Sequence, residues 1–249
     1  QTMYVGGRQE GERVGDDLVV GYQDEGIYHN QAELEADKDR KIQFYAGTIP
    51  AANRKPIVGD TRWKDVNGDG IINSRDRVVL GRTTPDFIGG FTTDFTYKNI
   101  NLFVKTDYAV GHLINNAVRT RGISQVQGNM NWTSEIKDTW TPENPNANIP
   151  RYDFTDPRGN HKAGGEGQYS ASSRYWEKGD YLALREITLS YNLPGAAVNN
   201  AFKDIRLFVS GTNLAYFTKY TGYSPEKGGW DSGRFPLPRS FTFGINATF

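Results

Sequence analysis

Apolar and polar residues alternate most strictly near the end of the chain. There Phe241, Phe243, Ile245, Ala247 and Phe249 share one parity, and Ser240, Thr242, Gly244, Asn246 and Thr248 the other. A period of two predicts a strand with one apolar face. At about eleven residues it matches the roughly 9 to 11 that a tilted strand needs to cross a bilayer, and exceeds the usual five or six of soluble sheets. The pattern recurs in Phe87, Gly89, Phe91, Phe95 and Tyr97 against Thr92, Asp94, Thr96 and Lys98, and in Ile100, Leu102, Val104, Tyr108 and Val110 against Asn101, Lys105 and Asp107. Only Lys98-Asn99 separates these runs, a two-residue hairpin turn that sets Tyr97 opposite Ile100 on one face. A further strand is predicted from Tyr181 to Asn192. In it Leu182 and Leu184 fall out of phase with Ile187, Leu189 and Tyr191, so a bulge near Arg185, or a strand start above the bilayer, is expected. Another runs from Ile205 to Asn213, with Phe208 breaking its polar face. Earlier in the chain, Asp17 to Tyr22 reads as a strand and Gln31 to Asp37 as a short helix capped by Asn30.

The connections between these strands alternate in length: two residues after Tyr97, about seventy after Val110, about a dozen after Asn192 and about twenty-five after Asn213. Outer-membrane barrels alternate short periplasmic turns with long extracellular loops. On that parity the C-terminus is periplasmic, and the long loops at about 111–180 and 214–238 face outside, as does the Asp60 to Asp86 segment. The expected fold class is all-β: strands of a large antiparallel transmembrane barrel. A soluble β-sandwich could share one such alternation, although loops this long argue against a compact domain.

Composition sharpens this only in places. The 249 residues carry 29 basic and 29 acidic side chains, a formal net charge of zero, which removes the electrostatic footprint of a nucleic-acid binder. No apolar run approaches the ~20 residues of a spanning helix, and the mean hydropathy of -0.65 is low, but alternating strands hide their lipid face from such an average. Cysteine is absent, which excludes disulfides and thiolate metal sites. Gln1-Thr2-Met3-Tyr4 carries no signal-peptide pattern, so an export signal is expected upstream or already removed. The 14 Tyr, 13 Phe and 5 Trp suit barrel girdles or loops that bind flat apolar faces.

One segment has the spacing of a calcium loop: Asp65, Asn67 and Asp69 at positions 1, 3 and 5, Gly70 at 6, the Ile71 carbonyl at 7, Asn73 at 9 and Asp76 at 12. Structural Ca2+ is the expected cofactor; an Asx-rich turn that closes on its own backbone is the metal-free alternative. Catalytic residues are not expected. His29, His112 and His161 are far apart, and no nucleophile elbow or phosphate loop occurs. The stretch from Gly111 to Asp180 holds Trp132, Trp140, Tyr152, Tyr169, Tyr175 and Trp176. Rings among planar polar groups can stack on sugars or peptides, which makes Trp132, Trp140, Tyr152 and Trp176 substrate-binding candidates. The favoured reading is that they pack the long loop onto itself.

Several ordered motifs resemble those of SusC/RagA-type TonB-dependent transporters. They are Gly21-Tyr22-Gln23-Asp24-Glu25-Gly26-Ile27-Tyr28 with Gln31-Ala32-Glu33, and Gly59-Asp60 through Asp65-Val66-Asn67-Gly68-Asp69-Gly70 to Asp76-Arg77. Trp140-Thr141-Pro142-Glu143-Asn144-Pro145-Asn146 with Pro150-Arg151, Gly179-Asp180-Tyr181 through Tyr191, and Asn213-Leu214 with Lys219-Tyr220-Thr221-Gly222-Tyr223-Ser224-Pro225-Glu226 follow in family order. The resemblance implies a barrel of 22 strands, to which residues 1–249 would contribute roughly the last five to seven. It also implies import of oligosaccharides or peptides across the outer membrane, energised by TonB through a missing N-terminal region and assisted by a SusD-like surface lipoprotein. The plug domain has no counterpart here, and substrate residues do not transfer by motif. The rival expectation is a soluble, extracellular, calcium-stapled β-sandwich that acts as a binding module.

Overall fold

The computed structural model describes residues 18–43, 55–124, 131–153, 158–161, 171–194, 202–226, 228–233 and 235–248. The expected contribution of Phe249 to the last strand, and Tyr169, lie outside these residues. The chain divides into two units, one of Gln1–Thr84, Leu113–Glu177 and Gly229–Gly233, the other of Pro85–His112, Lys178–Gly228 and Arg234–Phe249.

The second unit is a five-stranded antiparallel sheet whose strands lie in the order Ser240–Thr248, Asp204–Thr218, Tyr181–Leu193, Ile100–Val110, Phe87–Tyr97. The expected hairpin pairs as read, from Phe87 opposite Val110 to Tyr97 opposite Ile100. Lys98 takes a φ of 52° to close it. The expected bulge is present too: the register shifts between Leu184 and Glu186 against both neighbours. One extra residue at Arg185 returns Leu182 and Leu184 to the face of Ile187 and Leu189, which removes the phase break in the sequence.

One boundary differs from expectation. The strand expected to end at Asn213 continues to Thr218, so the connection after it begins five residues later than Leu214. The cause is a second irregularity: Leu184 opposes Ala215 while Glu186 opposes Thr212, and Asn213 between them sits at φ 54°. Asparagine is among the few non-glycine residues that tolerate that region, so a residue read as a terminator is instead a bulge inside a fifteen-residue strand.

The first unit is built of short pairings. Leu18–Gly21 runs antiparallel to Val78–Arg82 and Asp24–Ile27 to Thr61–Trp63, while Lys41–Ile42 is parallel to Ile71–Ile72. Helix Gln31–Ala36 starts under the expected cap, the Asn30 side chain accepting the Glu33 N–H at 3.0 Å while Glu33 accepts the His29 N–H at 2.9 Å. Tyr22, Ile42, Trp63, Ile72 and Ala171 form one small core. Ile123, Ile149 and Tyr175, backed by Ile136, form another, which is the internal core a seventy-residue connection needs.

Candidate functional site: a sheet with two chemically distinct faces

Register turns the alternation of single strands into rows across the sheet. Tyr97, Ile100, Tyr191, Leu207 and Ile245 form one row, and Phe95, Leu102, Leu189, Val209 and Phe243 the next. Thr93, Val104, Ile187, Gly211 and Phe241 form a third. In a sandwich this face would be covered by a second sheet. Here Phe95 is 62% exposed, Phe243 75% and Ile245 71%, and no second sheet lies on it within this unit among the described residues. An apolar surface this large demands a non-aqueous neighbour. Tyr97 and Tyr191 line its edge at the Lys98-Asn99 turn, and Tyr108, Phe87 and Phe217 lie toward the other end. Aromatic belts flanking an apolar band mark the two interfaces of a bilayer.

The opposite face is mainly polar, with Ile88, Phe103, Ala109, Ala183 and Phe208 as its apolar exceptions. Phe208 lies over Gly244 on the neighbouring strand, where any Cβ would collide with the ring. The bulge aims Arg185 into this face. Its guanidinium makes a two-pronged pair with Asp107 at 2.7 and 2.9 Å and donates to the Tyr216 hydroxyl at 2.8 Å. Glu226, from the connection beyond Thr218, closes the cluster against both Arg185 and Tyr216. Nearby, Thr188 bonds Glu186 at 2.8 Å and Ser210 at 2.7 Å. This cluster was not foreseen. The bulge was the available signal, since an extra residue re-aims one side chain.

In the first unit, motifs far apart in sequence converge. Gly59, at φ 91°, lies under the Trp140 ring, and its carbonyl accepts the Arg151 N–H at 2.7 Å. Asp60 is fully buried and accepts from Ile57 N–H and Asn160 Nδ2, both at 2.8 Å, with Arg158 at 3.5 Å. Burial pushes its carboxyl above the ordinary 3.8, against these three partners. Burial likewise raises Asp24, opposed mainly by its pair with Arg174. Tyr28 is raised by burial and by the Asp37 carboxylate that its hydroxyl meets at 3.0 Å.

The calcium-type loop is closed by its own amides. Asp65 accepts from Gly68 and Gly70, both at 2.8 Å, Asn67 from Asp69 at 3.0 Å, and Asp69 from Ile71 at 2.8 Å. The Ile71 carbonyl accepts the Asn73 amide at 3.1 Å, and Asn73 caps the next turn. Asp76 is buried, one oxygen on Val66 N–H at 3.0 Å and the other on Asn73 N–H at 2.8 Å. Among the described residues no three acidic, histidine or cysteine side chains gather as a metal cluster. Of the aromatic candidates, Trp132 and Tyr152 come together, with ring centroids 5.5 Å apart and Trp132 43% exposed. Trp140 is occupied by Gly59, and Trp176 is half-buried in the short strand Trp176–Lys178.

No family model matches the chain. It is 30% identical over 239 residues to TonB-dependent receptor P26 of Formosa agariphila and 30% identical over 257 residues to TonB-dependent receptor P3 of the same organism, covering 90% and 97% of this chain. TonB-dependent receptor SusC of Bacteroides thetaiotaomicron is 25% identical over 200 residues. The chain spans about a fifth of these relatives: 22%, 23% and 18% of their lengths. In fold it resembles the RagAB peptide transporter, with a TM-score of 0.66, 21% identity, and coverage of 92% of this chain and 22% of that one. The RagAB importer in its closed-closed state gives 0.63 at 22% identity, with 92% and 23% covered. A register-matched apolar face, an ion-paired polar face and these relatives agree: the chain belongs to the SusC/RagA-type TonB-dependent receptors, as a set of strands of their β-barrel.

Proposed function

We propose that this chain forms part of the wall of an outer-membrane active transporter that imports oligosaccharides or peptides. TonB energises it through a region outside these residues, and a SusD-like surface lipoprotein closes it. The observation that carries the reading is the sheet itself. Its exposed apolar rows fit a lipid bilayer, and its polar face, with Asp107, Arg185, Glu186 and Ser210, fits the water-filled side of a barrel. The similarity to TonB-dependent receptors supports TonB coupling, and the likeness to the RagAB peptide transporter supports peptides as one cargo class. No catalytic step is assigned to the chain. By the parity of its connections the Lys98-Asn99 turn and the C-terminus are periplasmic, and the connections after Val110 and Thr218 extracellular.

The test is extraction of the native protein from its source membrane in mild detergent, with mass spectrometry of the intact chain and of every co-purifying protein. A chain several times longer, in complex with a surface lipoprotein, is expected. Release without detergent, with no partner, would leave the soluble binding module as the better account.

A further inference from the structure

At the end of the apolar face opposite the Lys98-Asn99 turn, a groove of about 650 Å3 opens between Tyr108, Val110, Leu182 and Phe217. Its mouth carries Lys178 and Lys219, both exposed, and Asp180. Asp180 is turned to the backbone, one carboxylate oxygen accepting the Gly111 N–H at 2.7 Å. Two lysines and one carboxylate, a net charge of one positive, therefore line the groove together with apolar walls that include the 62% exposed Phe217. We propose that this groove binds a phosphorylated lipid of the outer leaflet, its phosphate held by Lys178 and Lys219 and an acyl chain lying along Leu182 and Phe217.

The chemistry selects that occupant. A lipid without phosphate would fill the apolar walls but leave the lysines without a counter-charge, a zwitterionic headgroup would bring an ammonium group that the lysines repel, and a free anion would use the lysines but leave the walls bare. Lysine stems lie along apolar surface while their ammonium groups reach the headgroup level, which is how basic residues at a membrane boundary hold lipid phosphates. The row geometry agrees, since Leu182 opposes both Tyr108 and Phe217 and Tyr181 opposes Thr218, so the lysines flank the last paired residues of adjacent strands. The proposal rests on the reading of the sheet as a bilayer-crossing wall with its long connections outside.

The test uses the full-length transporter, purified in mild detergent and stripped of lipid, with native mass spectrometry after addition of lipid A in its phosphorylated or enzymatically dephosphorylated form. Retention of the phosphorylated form is expected to exceed that of the dephosphorylated form at least tenfold, and Lys178→Gln with Lys219→Gln should abolish that preference. Phe217→Ala should lower retention of both forms together. Should the double variant fail to assemble, Lys219→Gln alone, at an exposed site just past the strand end, should still reduce the preference severalfold. Equal retention of the two forms, or a preference untouched by the lysine changes, overturns the proposal. So does complete displacement by millimolar inorganic phosphate, which would mark a free-anion site. Sidedness is read separately, by labelling Tyr223→Cys on intact cells with an impermeant maleimide. Failure to label would refute the orientation while leaving the lipid preference, measured in detergent, to stand or fall alone.

Discussion

Arginine at Ile187 should cost about 2–4 kcal/mol of folding free energy in a bilayer, because register puts that residue near mid-membrane. The eleven-residue strand Phe87–Tyr97, at about 3.3 Å per residue and a tilt of about 40°, rises about 28 Å, enough to cover an apolar band about 25 Å tall. Ile187 shares a row with Val104 and Thr93, close to the middle of that strand. Ile245, beside Leu207 on the neighbouring strand, lies next to the centre of its own strand, Ser240–Thr248. Ile245→Arg should therefore also cost about 2–4 kcal/mol. Thr242→Arg, on the polar face opposite Ser210, should stay within about 0.5 kcal/mol as a water-exposed substitution. Urea titration of the full-length chain in lipid vesicles, followed by tryptophan fluorescence, gives the three values. Equal costs at Thr242 and at the two isoleucines would refute the face assignment.

Arg185→Ala removes the tie between Glu226 and the wall. Charge-assisted bonds of this kind contribute about 1.5–3 kcal/mol, so limited proteolysis of the 219–239 connection should quicken at least tenfold, and Arg185→Lys should not restore it because lysine lacks the two-pronged donor. Asp60 carries the pH prediction. Its pKa is raised in the fold, so the native state binds the proton more tightly than the unfolded chain, and its contribution to stability falls as pH rises above 3.8 through the raised value. The melting temperature of the parent minus that of Asp60→Asn should therefore grow on acidification through that window; a shrinking difference would mean that Arg158 and Asn160 outweigh burial. Asp76→Ala removes the acceptor of two part-buried amides, those of Val66 and Asn73, and should cost about 1–3 kcal/mol. Because both Asp76 oxygens are already engaged, chelation is expected to leave the melting temperature unchanged, and a rise of several degrees with millimolar calcium would instead establish the loop as an ion site.

The sheet was legible in the sequence because strand period and face are local properties: Tyr97 opposite Ile100 and the bulge at Arg185 both follow from parity alone. Asn213 was misread for an equally local reason, since one left-handed residue looks the same whether it ends a strand or kinks it. The first unit resisted because its order is set by partners far away in the chain. Nothing near Asp60 announces Asn160, 100 residues on, and nothing near Gly59 announces Trp140. The motifs of the family resemblance marked where such residues lie but not that they meet. Trp140 shows the cost of this, because a ring taken as a possible ligand platform is occupied by a glycine.

The sheet has two open sides. Among the described residues Phe87–Tyr97 pairs only with Ile100–Val110, and Ser240–Thr248 only with Asp204–Thr218. Each outer strand thus presents every second N–H and C=O to its surroundings, and in hydrocarbon each unsatisfied group costs several kcal/mol. No set of side-chain contacts within these five strands can offset two such borders. Their stability in a membrane is a boundary condition, met only when a neighbouring strand docks along each side. A substitution in the middle of this wall therefore acts on the closure of a ring, and its effect will be felt at hydrogen bonds that none of these residues makes.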